Sequence, residues 1–196
     1  MSELIYDSDG VMVWAEYVEQ SDDKNSGISK QQEAKSRLLK AVIGSEDLSH
    51  DETGAPYISG SQVSVSLSHC SGAVVLALDN KGRRIGIDAE ANGRSRQLHR
   101  VAQRFLSNCE IHIWSSTEKL LLQAWTLKEA LYKALNIPGM EFKQIPLPPI
   151  ESIKNADRSI VVCDSNNEKI GRVNFECNIL LFNGFDGEIA LVRELF

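Results

Sequence analysis

Along this chain, stretches in which apolar and polar residues alternate give way to stretches with helical spacing, and then to alternation again. Val63, Val65 and Leu67 alternate with Ser64, Ser66 and Ser68, which predicts a strand with one buried face. Residues 11–18 and 73–78 read as further strands, and Asp79-Asn80-Lys81-Gly82 turns the chain into another over residues 84–90. Helical spacing covers residues 30–43, with Ala34, Leu38, Ala41 and Val42 on one side and Gly44 as a stop. Residues 94–105 are expected to be helical, and residues 117–135 form the clearest helix, with Ser115 and Glu118 spaced as a capping box and Pro138-Gly139 beyond its end. Residues 19–29, the turn at 51–56 and the prolines Pro146, Pro148 and Pro149 are loops. The tail reads as three strands, 159–163, 172–182 and 188–193, with turns at 164–167 and 183–187. Strands, then helices, then strands predict an α+β fold with antiparallel sheets rather than a regular βαβ repeat.

Composition narrows the picture without naming a chemistry. The 196 residues, 42% hydrophobic and 24% charged, are enough for one large domain or two small lobes sharing a core. A net charge of −6 argues against a nucleic-acid partner and requires any anionic ligand to be held by a local basic cluster or a metal ion. The acidic start of the chain lacks the features of a signal peptide, and no apolar run is long enough to span a bilayer. Cys70, Cys109, Cys163 and Cys177 form no C-x-x-C pair, so they are expected to be reduced, mostly buried thiols of a cytoplasmic protein.

Four short pieces carry candidate chemistry. In Gly86-Ile87-Asp88-Ala89-Glu90, strand alternation turns Asp88 and Glu90 to one side and Ile85, Ile87 and Ala89 to the core. Two carboxylates so placed repel unless a cation lies between them, although an isolated D-x-E is more often an exposed polar strand face. In the second piece Trp125, Glu129 and Lys133 are four residues apart and share a helix face. A surface Glu–Lys pair is the plain alternative, but Leu121, Leu122 and Tyr132 surround that stripe with apolar residues. Ser66-Leu67-Ser68-His69 ends a strand with two hydroxyls and an imidazole, a group able to bond phosphate oxygens. Gly54-Ala55-Pro56-Tyr57 is by itself a turn.

In this order and spacing the pieces resemble the 4′-phosphopantetheinyl transferases, of the two-lobed type similar to the surfactin-synthetase activator. Residues 85–90 match the family's G-[IV]-D-x-E, and residues 125–133 its W-[ST]-x-K-E-[AS]-x-x-K. Ser68-His69 looks like its Ser-His, and Phe105 to Glu110 like its F-x-x-x-E segment. Arg37-Leu38-Leu39 resembles an upstream basic element. Ala55 departs from the pattern, because the family's G-K-P turn often carries a phosphate-binding lysine there.

The resemblance implies Mg²⁺-dependent transfer of the phosphopantetheine arm of coenzyme A to a serine of an apo acyl or peptidyl carrier protein, releasing 3′,5′-ADP. It implies Asp88, Glu90 and Glu129 as metal ligands. Arg37, Ser68, His69, Lys128 and Lys133 are the expected coenzyme contacts. Glu129, Glu110 or a metal-bound water is the expected base, and Lys133 the group that stabilises the leaving phosphate. It further implies a monomer of two similar lobes, residues 1–83 and 84–196, related by a pseudo-twofold axis with the site between them. Arg96, Arg100 and Arg104, four residues apart, are the candidate docking stripe for an acidic carrier. The competing readings are another Mg²⁺-dependent phosphoryl-handling enzyme and a non-catalytic binding module on the same fold.

Overall fold

The computed structural model describes residues 2–19, 24–150, 159–163 and 169–195. Its elements are β1 (Glu3–Ser8), β2 (Val11–Tyr17), α1 (Lys24–Ile43), the short pair β3 (Ser49–His50) and β4 (Pro56–Tyr57), β5 (Ser64–Cys70), β6 (Ala73–Asp79) and β7 (Ile85–Ala91). After these come α2 (Ser95–Phe105), α3 (Asn108–Trp114), α4 (Glu118–Leu135), β8 (Ser159–Cys163), β9 (Lys169–Leu180) and β10 (Gly187–Glu194). Every strand pairing is antiparallel. One sheet runs β1-β2-β6-β5 and another β7-β10-β9-β8. Both contain the same wiring. A strand (β2 or β7) leads into helix, and a later hairpin (β5–β6 or β9–β10) returns so that its second strand lies beside the first.

Three apolar clusters stack these elements in layers. Ala34, Leu38 and Leu39 of α1 pack on Val74, Leu76 and Leu78 of β6. The opposite face of that sheet, with Val13, Ala15, Val75 and Ala77, meets Ile85, Ile87, Ala89, Ile189 and Leu191 of the second sheet. The far face of the second sheet, with Phe175, Cys177, Ala190 and Val192, carries α4 through Leu127, Ala130 and Leu131. Strand β6 is therefore buried along its whole length, which is why its sequence is almost continuously apolar.

The structure corrects several expected boundaries. Strand β1 was not expected; Asp9 and Gly10, both at positive φ, make the two-residue hairpin that joins it to β2. Helix α1 begins at Lys24, inside the expected loop. The N-cap of α4 is Thr117, whose hydroxyl accepts from Leu120 N–H at 3.1 Å, and the capping box belongs to α3, through Ser107 and Glu110. Strand β5 is buried on both faces at its centre, Ser66 and Ser68 included. Cys109 is exposed, against the expected burial, while Cys177 is buried. Cys163's side chain and the turn at 164–167 lie outside the described residues.

Charge also ties the two sheets together. Buried Arg83 donates to Asp79 at 2.7 Å and to Asp9 at 2.6 Å, and Arg193 of β10 reaches the same Asp9 carboxylate at 3.2 Å. Hydrogen bonds from Lys81 and Arg83 hold the Asp9 carboxyl down at about 2, so the cluster stays ionised through neutral pH.

Gly86 sets how closely α4 lies on β7. A Cβ there would fall 1.9 Å from Ala130 O and 2.9 Å from Ala134 N, both helix backbone atoms. Gly86→Ala is therefore expected to push the helix off the strand and cost about 3 kcal/mol, a fall in Tm of roughly 6–12 °C. Gly93→Ala, where a Cβ meets open space, is the control and should leave the melting curve in place. Equal melting temperatures for the two variants would contradict the close approach.

Candidate active site

Because α4 sits against β7 at Gly86, the side chains that leave β7 on the same side are buried beneath the helix. Asp88 is 5% exposed and Glu90 7%. Asp88 Oδ1 accepts from Ser68 Oγ at 2.7 Å and from Lys133 Nζ at 2.8 Å, and Lys133 also donates to Ile87 O at 2.9 Å. Asp88 Oδ2 is buried with no hydrogen-bond partner. Glu90 Oε1 accepts from Trp125 Nε1 at 2.9 Å and pairs with Arg94, whose guanidinium also lies over the Trp125 ring. Stacking of Trp125 on Phe142 and an edge contact with Phe105 fix that indole.

Glu129 is half-buried on α4. Burial, with the charges of Asp88 and Glu90, pushes its carboxyl up to about 7 against the opposing Lys133 and Arg94. Burial and the Asp88 charge raise Glu90 as well. Among the described residues no group of three or more His, Cys, Asp or Glu side chains is closed around a point suited to a metal ion. What Asp88, Glu90 and Glu129 share is mutual repulsion and, at Asp88 Oδ2, a buried oxygen with its lone pairs unused. Hard carboxylate oxygens in that condition fit a divalent cation such as Mg²⁺.

A cavity of about 370 Å³ opens beside this cluster. It is lined by Tyr132, Lys133 and Asn136 at the end of α4, by Ile85 of β7, and by residues of α1, of β5 and of the segment from β3 to β4. Lys35, His50, His69 and Lys133 bring four nitrogen-bearing side chains to a chain whose net charge is −6. Burial and the neighbouring Lys133 ammonium lower the His69 imidazole below its ordinary value. The turn before Ala55 is held by Asp51 Oδ1, which accepts from Thr53 N–H at 2.8 Å and Ala55 N–H at 3.0 Å. Thr53 Oγ1 meets Asn136 Oδ1, at the left-handed C-cap of α4, at 2.9 Å. Ala55 itself lines the cavity.

The structure thus gathers Asp88, Glu90, Glu129, Lys133 and His69, but it redirects four other candidates. Arg37 points away from the cavity and pairs with Glu16 at 3.2 Å; Lys35, two residues earlier and on the opposite side of α1, is the basic residue that reaches it. Lys128 is fully buried, its Nζ donating to Glu110 at 2.9 Å, Ile145 O at 2.7 Å and Phe142 O at 3.0 Å, so it cannot meet a phosphate. Glu110 also accepts from Ser107 N–H at 2.8 Å and Leu147 N–H at 2.7 Å, which removes it as a base. Burial pulls Lys128 down, and it would raise Glu110 had the Ser107 N–H and Lys128 not drawn that carboxyl lower. Three donors on the Glu110 carboxylate and three acceptors around the Lys128 ammonium hold the two as an ion pair. Ser68 spends its hydroxyl on Asp88 and does not line the cavity, contrary to its expected contact with the coenzyme. Arg100 and Arg104 are exposed on α2, and the side chain of Arg96 lies outside the described residues.

Residues 84–179 match the model of the 4′-phosphopantetheinyl transferase superfamily. The matched stretch holds Asp88, Glu90, Glu129 and Lys133, whereas Lys35, His50, Ser68 and His69 precede it. It does not separate the two-lobed type from other branches. Among curated proteins, none matches the chain. Among the described residues no helix is long and apolar enough to cross a membrane.

Glu129 gives this cluster a pH signature. Its folded value of about 7 lies above the ordinary 4.5, so the stability it lends is full below pH 4.5 and is lost as pH rises to about 7. Without divalent cations, Glu129→Gln should therefore melt near the wild type at pH 4.5 and progressively above it towards pH 8. Thermal melts across that range check the sign, and a pH-independent difference would contradict it.

Proposed function

Since the chain carries a 4′-phosphopantetheinyl transferase superfamily domain at residues 84–179, we propose that it moves the phosphopantetheine arm of coenzyme A to a serine hydroxyl of an apo acyl or peptidyl carrier protein. Lys133 carries this reading. It lines the cavity and at the same time donates to Asp88, so a ligand phosphate in the cavity lies against the carboxylate cluster.

In the proposed reaction the serine oxygen bonds to the phosphorus that bears the pantetheine arm. The bond from that phosphorus to the adenylate phosphate breaks, and 3′,5′-ADP leaves. Asp88, Glu90 and Glu129 would hold Mg²⁺, which when bound neutralises pyrophosphate charge and polarises the phosphoryl group. Glu129 takes the serine proton as general base. Lys133 offsets charge on the departing phosphate. Lys35, His50 and His69 hold the remaining phosphate oxygens, and Lys35 stands in for the lysine missing at Ala55.

The same proposal has two lobes, residues 1–83 and 84–196, with the coenzyme between them. Their shared wiring supports this, as does a cavity lined from both halves. The enzyme is taken as a cytoplasmic monomer. Exposed Arg100 and Arg104 on α2, with Arg96, give an acidic carrier a basic face on an otherwise acidic protein.

Intact-mass measurement of apo-carriers incubated with Mg²⁺ and coenzyme A tests the reading. The wild type should add one phosphopantetheine mass and Asp88→Asn none. Lys35→Ala should raise KM about tenfold for coenzyme A, the loss of one charge-assisted phosphate contact, and much less for dephospho-coenzyme A. No mass gain on any carrier would overturn the function, and equal KM changes for both ligands would remove Lys35 from the 3′-phosphate.

A further inference from the structure

The two sheets touch along an unusual seam, where side-chain hydroxyls serve backbone donors. Ser66 Oγ accepts from Ile87 N–H at 3.0 Å, and Ser68 Oγ from Ala89 N–H at 3.4 Å. The serines are two residues apart on β5, and so are the amides on β7, so each hydroxyl meets one strand position. Only Ser68 does more. Its single proton goes to Asp88 Oδ1 at 2.7 Å, where Lys133 also donates from the opposite side, out of α4.

These contacts leave the Asp88 carboxylate little freedom. Two donors from two elements grip Oδ1, and the Ala89 N–H fixes the acceptor side of the Ser68 hydroxyl so that its hydrogen has one direction. Oδ2 is thereby aimed along one line, and it is buried, at a residue 5% exposed, with no hydrogen-bond partner. A buried carboxylate oxygen left without a donor costs more than most single contacts contribute. An arrangement that satisfies one oxygen twice and the other not at all keeps the second for a ligand. We infer that Ser68 is a positioning residue that reaches across from the first sheet and aims Asp88 Oδ2 at a divalent cation. The inference rests on the proposed carboxylate site. It replaces the expected role of Ser68 as a phosphate contact, and it makes residues outside the 84–179 match part of the cation site.

Ser66 separates positioning from stitching, because it makes the same kind of seam bond but touches no carboxylate. The test is Mn²⁺ binding to the full chain without coenzyme, followed by the electron paramagnetic resonance signal of the free ion. Ser68→Ala, Ser68→Cys, Ser66→Ala and Asp88→Asn are compared with the wild type, and melting curves report folding. Loss of a hydrogen bond behind a metal ligand typically weakens binding 10–100-fold. Ser68→Ala should bind Mn²⁺ about tenfold more weakly, Ser68→Cys should lie between it and the wild type because a thiol is a poor donor, and Ser66→Ala should match the wild type. Wild-type affinity in both Ser68 variants, or in the cysteine variant if the alanine variant does not fold, overturns the inference. Equal weakening in Ser66→Ala also overturns it, since the seam alone would then account for the effect. If wild type and Asp88→Asn bind alike, or neither binds, the carboxylate site itself fails and the inference with it.

Discussion

The arrangement turns on one buried carboxylate held from two sides. Asp88 lies beneath α4 with Ser68 of the first sheet and Lys133 of the helix on the same oxygen. Burying a charge is tolerable only where hydrogen bonds and an opposite charge meet it. The Ser68 hydroxyl and the Lys133 ammonium supply both, and each draws its own element towards β7. Gly86, one residue before Ile87, admits the helix backbone at a distance no side chain would allow. The seam and the helix contact thus converge on the strand that carries the acidic residues.

Around that carboxylate the electrostatics are unbalanced in a useful direction. Burial, with the charges of Asp88 and Glu90, lifts Glu129 to about 7, even with Lys133 and Arg94 nearby. Arg94 is steered by two partners, the Glu90 carboxylate and the Trp125 ring. Lys133, which donates to Asp88, joins this surplus of negative charge to the cavity that Lys35, His50 and His69 also line. Under the proposed function, a divalent cation answers the acidic cluster and a ligand phosphate the basic side chains of the cavity.

Much of this was legible in the chain, and the rest failed for identifiable reasons. Strand alternation put Asp88 and Glu90 on one side, and helical spacing put Glu129 with Lys133, because both patterns are local. Lys128 was readable too: it falls on the stripe of Leu121, Ala124, Leu131 and Leu135, so the helix period alone buries it, but its motif neighbour Glu129 drew it towards the ligand instead. Asp9-Gly10 signalled a hairpin that the polar residues of β1 obscured. Lys35 lies two residues from Arg37, and only the packing of Ala34 and Leu38 decides which side of α1 faces the cavity. Ser66 and Ser68 looked like an exposed strand face, because nothing local reveals that β7 lies against them. The Glu110–Lys128 pair likewise joins two helices whose approach no periodicity encodes.

The central claim is that the three carboxylates are matched to a shared divalent cation, and the titration of Glu129 tests it most directly. The carboxyl carbon of Glu129 can be followed by ¹³C NMR in protein labelled at glutamate, with Glu129→Gln assigning the signal. Without divalent cations its midpoint should lie near pH 7, and saturating Mg²⁺ should carry it below the ordinary glutamate value of 4.5. A midpoint that Mg²⁺ leaves in place would contradict the account.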